Sequence, residues 1–166
     1  MNREILVWFA LFVASLVLQT VVIPVIAVGG VMPDLCIIVL FAFAIKWGMM
    51  PGIWVGFFFG LSQDLYSPSI IGQNALAATI IGLFIGLFNE RVMRTGPLAK
   101  VVVLLVAIII HDAVFNVVTL LSGDGGAGFL FTTLLVKTLP RALYTVAAGL
   151  ALFAVAAFGR KPSFRE

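Results

Sequence analysis

Charge is what this sequence has least of. Only 10% of its 166 residues are Asp, Glu, Lys or Arg, against about a quarter in soluble domains, so an ordinary water-solvated globule is excluded. There is one cysteine, Cys36, set inside an apolar run, and without an intrachain partner it forms no disulfide framework. The single histidine, His111, has no second ligand four residues on, which argues against a metal site. No P-loop, dinucleotide fingerprint or nucleophile elbow can be read. His111 and Asp112 with Ser62, Ser67, Ser69 or Ser122 do not make a hydrolytic triad, because none of those serines sits in an elbow. The expectation is a protein that is not an enzyme and carries neither cofactor nor metal.

What the chain does have is apolar length. It is 63% hydrophobic with a mean hydropathy of +1.22. Spanning segments of about 20 residues use up almost all of it, leaving a single transmembrane domain over residues 1–166. The net charge of +3 is too small to point to nucleic acid, and its meaning lies in where the basic residues sit.

Six apolar segments are expected, all helical: 5–28, 35–47, 51–65, 75–88, 98–121 and 129–158. The first is too long for the core of a signal peptide and is followed by further membrane segments, so it reads as a span. Gly29, Gly30 and Pro33 break the chain after it, and Asp34 is placed to cap the second segment. The second and third are short, at about 21 Å against a hydrocarbon core of about 30 Å, and could thin the bilayer or form a re-entrant hairpin. Asn74 is the natural cap of the fourth. Asp64 ends the third, where a carboxylate opposes the helix dipole; it reads either as a solvated loop acid or as a residue that caps the neighbouring helix or binds a partner. Residues 89–100 read as a loop, and the Gly-rich turn after Leu121 closes the fifth segment.

Arg3, Lys46, Arg91, Arg94, Lys100, Arg160, Lys161 and Arg165 all fall at one end of these segments. By the positive-inside rule both termini are cytoplasmic, and the turns holding Asp34, Asp64 and Asp124 face outward. Trp8, Trp47 and Trp54 gather near the same cytoplasmic interface.

Small residues recur every fourth position in the third segment, at Gly48, Gly52, Gly56 and Gly60, and again in the fourth, at Ala78, Gly82 and Gly86. Each set lines one helical face, so the two helices are expected to pack backbone to backbone. A reversal near Ser69 would put Gly60 opposite Ala78, Gly56 opposite Gly82 and Gly52 opposite Gly86. Deeper in the membrane, Asp112 and Asn116 share a face of the fifth helix, and Lys137 and Arg141 a face of the sixth, at similar depths. Charges so deep are expensive alone, which predicts an ionic cluster of these four, a structural clamp rather than a proton relay or a polar docking site for a partner helix. His111 points about 100° away from Asp112 and need not belong.

Pro33-Asp34-Leu35, Gly56-Phe57, Gly60-Leu61, Asp64, and Gly72 with Asn74, Ala75 and Leu76 together resemble the rod-shape-determining membrane protein family MreD. The resemblance extends to length, span count and basic-loop placement; its specific part lies between Pro33 and Gly86. It implies a multi-pass subunit of the bacterial inner membrane that acts as a scaffold in the cell-shape machinery for peptidoglycan elongation. MreC would be its main partner, with the actin-like MreB, RodA and a penicillin-binding transpeptidase contacted directly or indirectly, in a setting of membrane lipid and without nucleic acid. The family has no established catalytic residues. Asp34, Asp64, Gly72 and Asn74 would be its outer-face motif. The family is also similar in architecture to the six-helix substrate-binding S-components of energy-coupling-factor vitamin transporters, and Ala10 and Ala14 have the spacing those use for docking. Small-molecule uptake is therefore the alternative reading.

Overall fold

Gly48 is the whole connection between the second and third helices. It closes one and opens the next with φ +84°, a left-handed backbone that an L side chain rarely adopts. A Cβ there would also lie 3.1 Å from the Asn89 side chain. Around this joint the structure, a computed structural model, describes residues 3–25, 27, 32–67, 70–94, 96–123, 136 and 138–158. Over these residues the chain is all-α, with α1 (Arg3–Val21), α2 (Leu35–Trp47), α3 (Met49–Asp64), α4 (Gln73–Leu87), α5 (Asn89–Arg94), α6 (Pro97–Leu121) and α7 (Leu139–Phe158). By length and composition, two stretches among the described residues, Arg3–Val22 and Leu98–Leu121, could each cross a membrane; α2 and α4 are apolar but shorter.

Two boundaries differ from expectation, and a third falls outside the described residues. The first helix stops at Val21 rather than at 28 and passes into turns, because Pro24 has no amide to donate and disfavours helix in the residue before it. The stretch 89–100, expected as loop, contains the short α5 and the start of α6, whose Pro97 sits at the first turn, where a missing N–H costs nothing. The last helix is described from Leu139, with Pro140 likewise in its first turn; most of 129–138, including Lys137, lies outside the described residues.

α3 and α4 form the tightest pair, through their glycines. A Cβ on Gly52 would stand 2.8 Å from the Gly82 carbonyl oxygen, and one on Gly56 would strike the Ala78 carbonyl and sit 3.3 Å from Thr79 Cα. Gly60 lies against Asn74 and Ala75, Gly82 against Gly52, and Gly86 against Met49, in each case with backbone as the obstacle. Both faces meet, but one helical turn away from the expected register: Gly52 is opposite Gly82 and Gly56 opposite Ala78. The reason is Asp64. To cap α4 it must stand beyond that helix's first amides, so α3 continues about one turn past the level where α4 begins.

α2 occupies the middle and packs against all six other described helices. Its Leu40, Phe41 and Ala44 are fully buried, closed over by Phe59 of α3, Ile81 and Ile85 of α4, and Leu104, Ala107 and Ile108 of α6. Gln73 ties the start of α4 to α6, donating to the Phe115 carbonyl at 2.7 Å and the Thr119 hydroxyl at 2.5 Å. Where lipid replaces water, such contacts hold helices by dispersion and shape rather than by water exclusion. α1 is the outlier, with Ser15 its one buried residue and Phe9 64% exposed.

Candidate functional site: an ion cluster beside a polar cavity

The site is built at the ends of α1, α2, α3, α4 and α7 that lie together, with α6 alongside. Pro33 and Asp34 head α2, and the Asp34 side chain accepts from the Ile37 amide at 3.1 Å, the ordinary N-cap contact. Its own amide donates to the Thr145 hydroxyl of α7 at 3.1 Å. Gln19 of α1 completes this corner, accepting from the Leu35 amide at 2.9 Å and donating to the Pro33 carbonyl at 3.2 Å. The remaining backbone groups of a capped helix start and an irregular Pro-containing segment thus find their partners on two neighbouring helices.

Asp34 does more than cap. Its second oxygen accepts from Arg141 Nη2 at 2.7 Å, and Arg141 Nη1 donates to Asp112 Oδ1 at 2.9 Å. One guanidinium therefore bridges α2, α6 and α7 through two carboxylates, both buried, while its own side chain is 31% exposed. Charge-assisted bonds to a planar fork are short and directional, and Arg presents two such edges at once.

The four residues expected to cluster do not all do so. Asn116 donates to the backbone carbonyl of Asp112 at 2.6 Å rather than to the ion pair, because a side chain one turn down reaches the carbonyl of its own helix first. Lys137 lies outside the described residues. His111, set aside by its helical angle, is in contact: its Nδ1 lies 3.2 Å from Asp112 Oδ1. The 100° between successive Cβ directions does not keep adjacent side chains apart when a short carboxylate meets a ring nitrogen near its base. His111 Nε2 is buried and has no hydrogen-bond partner among the described residues.

Asp64 forms a second polar centre. Oδ1 accepts from the Asn74 amide and from Asn74 Nδ2, each at 3.0 Å, and Oδ2 from the Gly72 amide at 2.9 Å and the Ala75 amide at 3.1 Å. Asn74 is thus not the cap but part of the first turn being capped, and Gly72, at φ +97°, bends the chain into position. The carboxylate that is badly placed for the dipole of α3 is well placed for that of α4. Asp64 is 2% exposed and reads as neither a solvated acid nor a surface contact.

Between the two centres is a polar cavity of about 470 Å³, lined by Gln19, Asp34, Gln63, Tyr66, Asn74 and Arg141 among others. Burial above all pushes the Tyr66 hydroxyl up to about 12, so at neutral pH it remains a hydrogen-bond donor. Among the described residues no group of three or more His, Cys, Asp or Glu is arranged to hold a metal. Sequence reasoning gave no role to Gln19 and did not single out Thr145; the only signal was a polar side chain in an otherwise apolar helix.

A family model described as rod shape-determining protein MreD matches residues 2–159. No curated protein and no solved structure is significantly similar to the chain.

Proposed function

Since the chain belongs to the MreD family, and is therefore a bacterial membrane protein involved in rod shape determination, we propose that it is a non-catalytic scaffold subunit of the peptidoglycan elongation complex. In this reading it is one transmembrane domain of six helices in the inner membrane, with both termini cytoplasmic. MreC is its principal partner, and MreB, RodA and a penicillin-binding transpeptidase are reached directly or through MreC.

The observation that carries this reading is how the polar side chains inside the bundle are used. Asp34, Asp64 and Asp112 are all engaged in caps or ion pairs that lock helices together, while the apolar face of α1 is left outward. A body rigid inside and apolar outside supports the presentation of surfaces to other membrane proteins. The polar cavity of about 470 Å³ is the observation that favours the second reading, an S-component-like carrier of a small molecule. Ala10 and Ala14 are exposed on α1, as docking to a partner helix would need in either case.

Affinity purification of the full chain in mild detergent separates the two. Recovery of MreC and cell-wall synthases is the expected result. Recovery of ATP-binding-cassette subunits in their place would reject the scaffold.

A further inference from the structure

α1 follows α2 along its length but meets α3 toward one end. There Ser15 is buried, the Phe12 ring lies 4.2 Å from that of Phe59, and Gln19 holds Pro33 and Leu35. Toward Arg3 it parts from α3 and leaves an apolar groove of about 910 Å³, with Val39 and Phe43 of α2 as its floor and Val55 and Phe58 of α3 along one wall. Trp8 reaches in from α1 to meet Phe43 edge to face at 5.2 Å.

The mouth of the groove is charged. A smaller cavity of about 300 Å³ shares Arg3, Glu4 and Trp8 with it and adds Lys46. Lys46 Nζ is 3.0 Å from Glu4 and lies over the Trp8 and Trp47 rings at 5.8 and 5.3 Å. Arg3 has no ion-pair partner among the described residues, so the mouth carries one uncompensated positive charge. Along α3 the groove runs from Pro51 to Ser62, about 16 Å at 1.5 Å per residue, or half of a hydrocarbon core of about 30 Å. That is the depth of one leaflet. A partner's spanning helix needs the full thickness, about twice the length of this groove.

We infer that this groove is a binding site for one anionic phospholipid, with an acyl chain lying between α1 and α3 and the phosphate held at Arg3 and Lys46. The occupant follows from three features together: an apolar trough one leaflet deep, a cationic mouth, and two tryptophans at the level of the headgroups. The inference is independent of the scaffold reading, since it concerns what fills the groove in a bilayer whatever the protein assembles with.

The test uses the full-length protein in nanodiscs, with Trp47→Phe and Trp54→Phe leaving Trp8 as the sole reporter. Brominated phosphatidylglycerol or brominated phosphatidylcholine is introduced at low mole fraction and Trp8 quenching is followed. Phosphatidylglycerol should half-quench at a mole fraction about fivefold lower, the effect of roughly one basic side chain at the surface. Arg3→Gln with Lys46→Gln, both on exposed side chains, should bring the two lipids together, and Val55→Phe should weaken quenching by both. Equal potency in the unsubstituted mouth would overturn the proposal, as would a phosphatidylglycerol preference that survives the double Gln variant. Failure of either lipid to quench Trp8 would mean the groove is closed to lipid and reserved for a protein segment, which also overturns it.

Discussion

Arg141 and Asp34 stand 107 residues apart in the chain and 2.7 Å apart in the fold. With Asp112 on the other nitrogen of the same guanidinium, Arg141 is the one cation among the described residues that holds two buried carboxylates, which makes the cluster asymmetric.

Removing the cation should therefore cost more than removing either acid. Arg141→Gln takes the guanidinium from both buried carboxylates and is expected to destabilise the protein by about 3–5 kcal/mol, whereas Asp112→Asn leaves the Arg141 to Asp34 bond in place and costs less. Thermal unfolding of the purified variants in detergent measures the order. An Asp112→Asn variant less stable than Arg141→Gln would contradict it.

The glycine contacts predict sensitivity to a single methyl. Gly82→Ala and Gly86→Ala each place a Cβ against backbone that cannot rotate away, and overpacking of this kind costs about 1–3 kcal/mol. Gly96→Ala, with nothing within 4 Å, and Phe58→Leu, at an exposed position, should change melting little. Equal melting temperatures across all four would remove the close-packing argument.

Asp64 holds four donors at the start of α4. Asp64→Ala should lose more than the ~1 kcal/mol of an exposed cap, because buried amides are left without acceptors. Asp64→Asn keeps one acceptor and should lie between it and the native protein. Hydrogen exchange of the Asn74 and Ala75 amides reports the effect directly, and should accelerate in Asp64→Ala while the amides of α6 stay protected.

Orientation is open to chemical labelling, because the native thiol Cys36 is buried and silent. Tyr66→Cys and Ser122→Cys, at exposed or half-exposed turn positions, should react with an impermeant maleimide on intact cells, and Arg94→Cys only after permeabilisation. The reverse pattern would invert the proposed topology.

Much of this was legible in the chain. The four-residue spacing of Gly52, Gly56, Gly82 and Ala78 revealed which faces meet, since helical periodicity is local. The register did not follow, because it depends on how far α3 outruns the start of α4, and that is decided by the side chain of Asp64 in three dimensions. Arg141 and Asp112 could be paired from their depth in two apolar segments. Asp34 could not be added to them: at a chain break it had a sufficient explanation as a cap, and no local pattern reports a second bond to a helix 107 residues away. His111 was set aside by a rule about helix faces that governs long side chains better than adjacent short ones.

The long reach of Arg141 also puts the parts of this protein on a timetable. α2, α3 and α4 are consecutive, with only Gly48 between the first two and residues 65–72 between the next two, and can come together as soon as they leave the ribosome. Asp34 leaves with them, but its cation follows 107 residues later, about 5–20 s at translation rates of roughly 5–20 residues per second. Through that interval the head of α2 carries an acid whose cap is made but whose cation is missing, at the edge of a membrane that resists taking it in. It is α7, made long after α2, that lets it settle.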